Sequence, residues 1–304
     1  MKRQQQQRGQ RRQQRERPRI LVIGDFFRDE TIFYETERES PEGGHPVVRH
    51  LRTISGPGGA GAVAEACRRM RAEVTEVGWW VREEVKTRHV VDGRVMFRCD
   101  ESVETGAGAS LPVGSHVAEM ICEDLGRQDH HDAVIVADYG KGVITEATFA
   151  AAAALSQRDS VPLLVDPARG RDIEFYRGAT AFFPNRAESG VNDRSAVLAT
   201  EISRFIGTRS LRKPCELVCI KLDRSGYVAW IRNGRQWIGG PACPPGDVVD
   251  VSGAGDWFIA AAAVARANGK SWIESVRAGN QAAGDKCRHW GAVPERGVAE
   301  LVAR

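Results

Sequence analysis

The segment that most constrains the fold lies in the last quarter of the chain, at Asp250-Val-Ser-Gly-Ala-Gly-Asp256. It runs directly into an apolar, alanine-rich stretch at 257–266, which predicts a buried helix. Gly253 and Gly255 let the backbone adopt unusual dihedral angles and approach a ligand closely. Because the first amides of a helix lack partners and carry the positive end of its dipole, this turn predicts an anion-binding site. A simple helix start capped by an aspartate would show the same local pattern.

The rest of the chain alternates short apolar runs with helical segments. Three of the apolar runs predict buried strands that end at Asp25, Asp138 and Asp166. Repetition of strand, helix and strand predicts an α/β domain built on a doubly wound, mostly parallel sheet. Since ligands meet such sheets at the carboxyl ends of the strands, we expect these acidic side chains to line a cleft.

Length and composition are those of an ordinary globular protein. The 304 residues, 42% hydrophobic and 27% charged, suffice for one large α/β domain or two small ones. The chain has no run of about 18 apolar residues, and its N-terminus lacks the apolar core of a secretory signal. Seven scattered cysteines without a CxxC pair favour free thiols over a metal site. We therefore expect a cytoplasmic protein without a membrane partner.

The first 18 residues differ from the remainder in composition and charge. Residues 1–19 carry eight Lys or Arg and one Glu, which leaves the rest of the chain mildly acidic. A Gln- and Arg-rich segment without large apolar residues after Met1 predicts a disordered tail at 1–18. This tail could contact nucleic acid through its phosphates, or it could be only a solubilising extension.

Two segments of short extended pieces and turns predict a small β-lid, at about 31–55 and 85–100. The second contains a predicted hairpin whose turn is Asp92-Gly93. It also contains Arg88 and Arg98, whose guanidinium groups could hold a phosphate group bidentately. They could equally be surface charges on neighbouring strands.

The order of these motifs resembles that of the ribokinase-like (PfkB) sugar kinases. Segment 250–256 resembles the C-terminal signature of that family, and Gly56-Pro-Gly-Gly-Ala-Gly-Ala62 resembles its N-terminal signature. Ser40-Pro-Glu42 and Asp138-Tyr-Gly-Lys-Gly142 resemble the branch that acts on D-glycero-D-manno-heptose 7-phosphate in lipopolysaccharide precursor synthesis. The resemblance covers about 19–303 and implies a ribokinase-like kinase domain at 19–304, with helices on both faces of the sheet.

The resemblance implies that ATP is the phosphoryl donor and that Asp256 is the catalytic base. The amides of Gly253, Ala254 and Gly255 would then form the anion hole for the transferred group. Ser252 stands where the family usually has Thr, and it retains the hydroxyl beside the nucleotide.

For the sugar, the resemblance implies contacts from the first strand, the glycine loop, the lid and the strand end after Asp138. The residues are Asp29, Gly58, Gly59, Arg88, Arg98, Asp138 and Lys141. Where the family has an Asn that hydrogen-bonds the sugar, this chain has Ala62. The chain is also shorter after Trp80 than the enzymes it resembles, so an element that packs on the sheet is missing.

For the nucleotide, the resemblance implies a second set of contacts near the far edge of the sheet. The residues are Asn185, Glu188, Lys221, Gly226, Ser252 and Asn280, and Glu188 with Asp166 would hold Mg²⁺. Asn185 and Glu188 alone would also fit a helix cap. Lys221 replaces a family Thr, and its ammonium could bind phosphate or obstruct ATP.

Two functions follow from these expectations. The first is an active sugar kinase, with heptose 7-phosphate as acceptor, which pairs into a homodimer through the lid as this family often does. The second is a catalytically weakened homologue that binds a sugar phosphate or nucleotide as a scaffold or regulator. Ala62, Lys221 and the short segment after Trp80 favour the second, and the intact Asp256 turn favours the first.

Overall fold

The computed structural model describes residues 17–101, 115–189, 215–242 and 248–294 of the chain. The predicted tail at 1–18 lies almost wholly outside these ranges, as does Cys243. The nucleic-acid hypothesis for the tail therefore stays a prediction.

Ten strands form one sheet in the described residues. They are β1 (Arg19–Glu39), β2 (Pro46–Gly59), β3 (Glu73–Val91), β4 (Arg94–Glu101), β5 (Ala133–Ala137), β6 (Leu163–Asp166), β7 (Ala181–Phe182), β8 (Leu217–Lys221), β9 (Tyr227–Ile231) and β10 (Gln236–Gly240).

The described α-helices lie between these strands and after them. They are α1 (Ala60–Arg69), α2 (Ser115–Arg127), α3 (Glu146–Asp159), α4 (Arg186–Ser189), α5 (Ala254–Ala267) and α6 (Trp272–Lys286). Short 3₁₀ turns follow β6 and β8, at Ile173–Tyr176 and Asp223–Ser225. Among these helices, none has the length and apolar character needed to cross a membrane.

The sheet runs in the order β10-β9-β8-β7-β6-β5-β1-β3-β4, with β2 paired to β1. The six strands from β8 to β3 run parallel to one another, and β9, β10, β2 and β4 are added in antiparallel orientation. This confirms the predicted doubly wound, mostly parallel α/β sheet. The parallel strands are buried on both faces, which explains why their sequences are continuous apolar runs.

Two apolar cores cover the two faces of the sheet. One contains α1, α5 and α6, with fully buried Trp257 as its largest side chain. The other contains α2 and α3, and Tyr176 lies at its centre. The alanines of α5 let this helix pack closely against the strands, because a small side chain keeps the helix axis near the sheet.

The lid is an extension of the main sheet. Strands β1 and β3 continue past the sheet as a parallel pair, and β2 and β4 flank them in antiparallel register. The predicted hairpin is present, with Asp92 (φ 48°) and Gly93 (φ 77°) in its turn. The lid strands are continuations of β1 and β3. Lid residues therefore keep a fixed position relative to the carboxyl edge of the main sheet.

The cysteines of the described residues are all free thiols. Cys67, Cys215 and Cys219 are buried, and burial raises the pKa of the Cys67 and Cys215 thiols to about 12. Such thiols act as small apolar side chains rather than as nucleophiles.

A glycine on the far edge of the sheet gives a test of the fold. Gly226 has φ 83°, and a methyl group there would lie 2.0 Å from the Gly240 carbonyl oxygen. Gly234, in the next turn, has φ 96° with its nearest neighbour at 3.6 Å. Gly226→Ala should lower the free energy of unfolding by about 3 kcal/mol or more, since strain and overlap add. Gly234→Ala should cost about 1–2 kcal/mol, from backbone strain alone.

Urea denaturation of both variants measures this difference. Equal losses in the two variants would contradict the backbone geometry described for the β9–β10 edge.

Candidate active site

The N-terminus of α5 is shaped by a glycine and a carbonyl group. Gly253 takes the left-handed conformation (φ 75°), and a methyl group there would lie 2.6 Å from the Ala292 carbonyl oxygen. The same carbonyl accepts a hydrogen bond from Trp257 Nε1 at 3.0 Å, and Ala254 N–H donates to the Val251 carbonyl at 3.1 Å. The helix start is therefore fixed, with its positive dipole end facing the site.

Asp250 holds the loop that precedes this helix. Its Oδ1 accepts from Ser252 N (2.9 Å) and Ser252 Oγ (2.7 Å), and its Oδ2 accepts from Gly291 N (2.9 Å). Fully buried Lys286 donates to the Asp250 carbonyl at 2.9 Å. The Ser252 hydroxyl, predicted to lie by the nucleotide, is thus engaged in the loop itself.

Asp256 lies in the first turn of α5 and is 8% exposed. Its Oδ1 accepts a hydrogen bond from the Tyr139 hydroxyl. Burial raises the pKa of Asp256 to about 7; the Tyr139 bond and Lys221 oppose the rise, and Asp166 adds to it. A carboxyl group with a pKa near neutrality is suited to general base catalysis at neutral pH.

Tyr139 is a site residue to which the sequence motif alone assigns no role. Asp25, at the end of the main-sheet part of β1, accepts from the backbone amides of Tyr139 (2.9 Å), Lys141 (3.2 Å) and Val143 (3.1 Å). Burial is the main cause that raises the pKa of Asp25 to about 6, followed by the charge of Asp138. Asp25 therefore fixes the loop that aims Tyr139 at Asp256. The only sequence signal was the place of Tyr139 between Asp138 and Lys141.

Asp138 points into the protein rather than toward the base. It accepts from Gly140 N at 2.8 Å and Tyr176 Oη at 2.8 Å, and it pairs with Arg171 Nη1 at 3.1 Å. Its role in this structure is to support the loop after β5, although the sequence placed it among the substrate contacts.

Asp29 and Arg88 meet on neighbouring lid strands. Arg88 Nη1 donates to both oxygens of Asp29, at 2.8 and 2.9 Å, and Asp29 is 6% exposed. Burial raises the pKa of Asp29, and Arg88 opposes the rise. Arg98 lies opposite Arg88 in the β3–β4 register, but it is exposed and pairs with Asp100 at 2.7 Å. The structure thus brings Arg88 to the site and leaves Arg98 on the lid surface.

Two lysines flank the glycine loop. Lys141 pairs with buried Glu84 at 2.7 Å, and Lys86 Nζ lies 4.0 Å above the ring of Phe27. The Phe27 ring covers Gly58 and Gly59, since a methyl group on either glycine would come within 2.5 Å of it. The ring also meets Tyr139 edge-on at 5.4 Å.

The glycine loop leads into α1, where Ala62 is fully buried and presents no polar group. Phe27 and Tyr139 therefore cover the approach from this loop to Asp256. A sugar that reached the base from the glycine loop would have to displace the Phe27 ring.

The nucleotide side of the site holds an ion pair between β8 and β6. Lys221 Nζ donates to both oxygens of Asp166, each at 2.8 Å. A methyl group on Gly255 would lie only 3.1 Å from the same nitrogen. The Lys221 ammonium group therefore lies at the N-terminus of α5, beside the predicted anion hole.

Asn185 and Glu188 form a capping box at the start of α4. Glu188 N–H donates to Asn185 Oδ1 at 3.0 Å, and Glu188 Oε2 accepts from Asn185 N at 2.7 Å. The other oxygen of Glu188 accepts from the Asn185 side chain. Burial raises the pKa of Glu188 to about 7, with the charge of Asp166 as the next cause.

The carboxylates of Asp166 and Glu188 are both hydrogen-bonded within the protein, whereas Mg²⁺ is usually bound by one or two available carboxylates together with waters and substrate phosphates. Lys221 donates hydrogen bonds to both oxygens of Asp166, and Asn185 donates to both oxygens of Glu188. In the described parts of the chain, no group of three or more His, Cys, Asp or Glu side chains could hold a metal ion. The Mg²⁺ assignment predicted for these two residues does not fit their arrangement here.

The two remaining predicted nucleotide residues lie near the sheet edge. Gly226 is required by its own turn, as described above, and Asn280 is exposed, with Nδ2 donating to the Pro241 carbonyl at 3.0 Å. The Gly226 turn and the Asn280 hydrogen bond both form without a ligand. The predicted nucleotide contacts of these two residues stay predictions.

Comparison with known proteins identifies a matching family model and homologous chains. A family model described as pfkB family carbohydrate kinase matches residues 129–295. The chain is 33% identical over 300 residues to a D-beta-D-heptose 7-phosphate kinase of Bordetella bronchiseptica, covering 88% of this chain and 90% of that protein. It is 30% identical to the bifunctional protein HldE of Syntrophotalea carbinolica, of which it spans 59%.

Solved structures share the fold at lower identity. Phosphofructokinase-2 from Escherichia coli, in a tetrameric inhibited form, matches with a TM-score of 0.66 at 15% identity over 94% of this chain and 98% of that one. Ribokinase from Arabidopsis thaliana, in complex with ribose and ATP, matches with a TM-score of 0.62 at 20% identity over 95% and 99%. The ribokinase-like fold expected from the motifs is confirmed.

The pKa of Asp256 is a direct test of the site. We expect Asp256 to titrate near pH 7 in the free protein, with the Tyr139 bond holding its pKa down. Tyr139→Phe should therefore raise the pKa of Asp256 further, because loss of the hydrogen bond destabilises the carboxylate. Tyr34→Phe removes a lid hydroxyl, bonded to His89, and should leave the pKa of Asp256 unchanged.

Carbon-13 NMR of the side-chain carboxyl groups measures these values, with the Asp256 signal assigned by its loss in Asp256→Asn. Glu188 is expected in the same pH range and is assigned through Glu188→Gln. An Asp256 titration near pH 4 would show that its carboxylate is solvated, contrary to the site described.

Proposed function

We propose that this chain, which belongs to the pfkB family of carbohydrate kinases, transfers the terminal phosphoryl group of ATP to a hydroxyl of a sugar phosphate. The observation that carries the proposal is Asp256: a buried carboxyl group at a helix N-terminus, bonded by Tyr139, with a pKa of about 7. A base and an anion site therefore lie in one helical turn, as phosphoryl transfer to a hydroxyl requires.

The acceptor that we propose is heptose 7-phosphate, with heptose 1,7-bisphosphate as product. The Bordetella relative supports this sugar by its similarity over most of the chain. The charges of the site support a phosphorylated acceptor, since Lys86, Arg88 and Lys141 all lie beside the glycine loop or the lid face above it. Two of these cations are paired with Glu84 and Asp29 in the free protein, and all three groups have donors that can bind the phosphate of an anionic substrate.

In this mechanism the γ-phosphate of ATP lies over the first amides of α5, where the helix dipole stabilises its charge. Asp256 takes the proton of the anomeric hydroxyl as that oxygen attacks phosphorus. Tyr139 keeps the carboxylate ionised and oriented through its hydrogen bond. Most of the rate enhancement then comes from positioning and charge stabilisation rather than from covalent chemistry.

The lid would close the site during transfer. Strands β1 and β3 carry Asp29, Lys86 and Arg88 at fixed register, so substrate contacts and lid closure are mechanically linked. Exclusion of water protects the phosphoryl group from hydrolysis and strengthens the charge interactions within the site. Lys221 and Asn185 engage the carboxylates of Asp166 and Glu188, so neither carboxylate is assigned as a direct metal ligand during transfer.

ATP turnover with heptose 7-phosphate, against a panel of hexoses and sugar phosphates, tests the proposal. Asp256→Asn should lower kcat by roughly 10²–10⁴-fold, the usual contribution of a general base. Asp285→Asn, in a buried carboxylate bonded to Gln281 on α6, is the matched control and should retain activity. Equal turnover in Asp256→Asn and wild type would remove Asp256 as the base.

The second candidate is a binding protein derived from the same family. Buried Ala62, where the family has a sugar-binding Asn, and the ammonium group of Lys221 at the anion hole favour it. It would bind a sugar phosphate or a nucleotide without turnover. Binding by calorimetry together with equal inactivity of wild type and Asp256→Asn would support this candidate over the kinase.

The two lid arginines predict a contrast in substrate affinity. Arg88→Gln should raise the KM for a phosphorylated sugar by roughly 10–100-fold, the equivalent of one charge-assisted bond. Arg98→Gln should change it by less than about threefold, because Arg98 is exposed and paired with Asp100. Steady-state kinetics of both variants decides the assignment, and a larger effect at Arg98 would reverse it.

We further propose that two copies pair through the lid. Leu51, Val95, Met96 and Phe97 on β2 and β4 are each about half exposed, which gives the lid an apolar outer surface. Light scattering should give twice the chain mass of 33.3 kDa. Met96→Glu with Phe97→Glu should yield monomer, whereas Met120→Glu on α2 should remain dimeric; a wild-type monomer would contradict the proposal.

A further inference from the structure

Lys221, at the end of β8, lies outside the proposed base and sugar contacts. The Lys221 side chain reaches Asp166 on β6 across the chain that follows the two-residue strand β7, where Asn185 forms a parallel bridge with Lys221. Both oxygens of Asp166 lie 2.8 Å from Lys221 Nζ, and the two side chains are only 12% and 14% exposed. Lys221 and Asp166 therefore form a nearly buried, bidentate ion pair at the carboxyl ends of β8 and β6.

The position of the ammonium group is electrostatically unusual. Lys221 Nζ lies 3.1 Å from the place of a methyl group on Gly255, at the amide end of α5. A cation at a helix N-terminus is repelled by the positive end of the dipole. An anion between ammonium and amides turns this repulsion into attraction on both sides. The geometry is therefore suited to an anion held between Lys221 and α5.

The surrounding charges explain why the lysine is stable there. Burial alone would lower the pKa of Lys221, but the carboxylates of Asp166 and Glu188, with Asp256 farther away, raise it instead. One cation thus faces three acidic groups, and it uses oxygens of Asp166 that a divalent ion would need. The ammonium group, 2.8 Å from both oxygens, neutralises the charge of Asp166 and repels a divalent ion that approaches the same carboxylate, so the two cations compete for it.

We propose that Lys221 is the resident cation of the phosphoryl site, where it replaces a protein-held divalent ion and binds the transferred phosphoryl group against the amides of α5. This inference deepens the proposed kinase function and rests on it for the identity of the anion. An ammonium group has three donor hydrogens, so Lys221 keeps its two hydrogen bonds to Asp166 and donates the third to a phosphoryl oxygen when the nucleotide binds. Any divalent ion that the reaction uses then comes with the nucleotide, since Asp166 does not hold one.

The test measures metal binding without nucleotide, so it does not depend on turnover. Mn²⁺ is added to the full chain, and electron paramagnetic resonance measures the free ion. Wild type should bind no Mn²⁺ at Asp166, so that Asp166→Asn leaves the titration unchanged. Lys221→Ala should bind one Mn²⁺ at least about tenfold more tightly than wild type, a gain of about 1.4 kcal/mol. Asp166→Asn in that background should abolish the new site.

Lys221→Arg keeps the charge and should gain no site, and Lys221→Thr is the second variant if Lys221→Ala does not fold. Binding of one Mn²⁺ by wild type that is lost in Asp166→Asn would overturn the proposal. A folded Lys221→Ala or Lys221→Thr protein that gains no site would also overturn it.

Turnover separates this inference from the kinase proposal. With saturating MgATP and sugar phosphate, wild-type kcat should be flat against free Mg²⁺, and Lys221→Ala should lose at least about tenfold in kcat. If wild type does not turn over any sugar, the kinase proposal fails. The Mn²⁺ result still decides whether Lys221 keeps a divalent ion from binding at Asp166. If wild type turns over and Lys221→Ala retains full kcat, the phosphoryl-binding role of Lys221 is wrong.

Discussion

The arrangement of the site depends on one constraint: buried carboxylates collected at the carboxyl edge of a parallel sheet must each find a donor. Parallel strands all end at this edge, so their terminal acidic residues come together and repel one another. Burial raises the pKa of every member of the set, and each has its own partner. The pairs are Asp25 with three loop amides, Asp29 with Arg88, Asp138 with Tyr176 and Arg171, Asp166 with Lys221, Glu188 with Asn185, and Asp256 with Tyr139.

These pairings divide into supports and reacting groups. Asp25 and Asp250 hold the two loops that face each other across the site, one bearing Tyr139 and the other leading into α5. Both carboxylates are buried and bonded through both oxygens to backbone amides, so they give their loops a fixed shape. Asp256 differs because, among the described residues, its one side-chain hydrogen bond comes from the Tyr139 hydroxyl to Oδ1, so that Oδ2 can accept a proton. A buried carboxyl group thus provides rigidity at two positions and is the proposed base at a third.

The sequence predicted the sheet, the lid and the helix start well, because apolar runs, turn residues and glycines are local signals. It singled out Asp256 and its glycines for the same reason, and the role of Asp256 as base stays a prediction. What it missed depends on long-range contacts: Tyr139 reaches Asp256 across 117 positions, and Lys221 reaches Asp166 across 55. No local pattern reports that Asp138 faces Tyr176 or that the Arg98 side chain lies outside while Arg88 lies inside. Those outcomes follow from strand register and packing.

The central claim is that Asp256 and the amides of α5 direct a phosphoryl group to a sugar hydroxyl rather than to water. Phosphorus-31 NMR of a reaction with ATP and heptose 7-phosphate tests it most directly, because it identifies the product. We expect ADP together with an equal amount of heptose 1,7-bisphosphate, in which the signal of the new phosphate couples to the anomeric proton. ADP accompanied only by inorganic phosphate would contradict it, since the site would then activate water instead of the sugar.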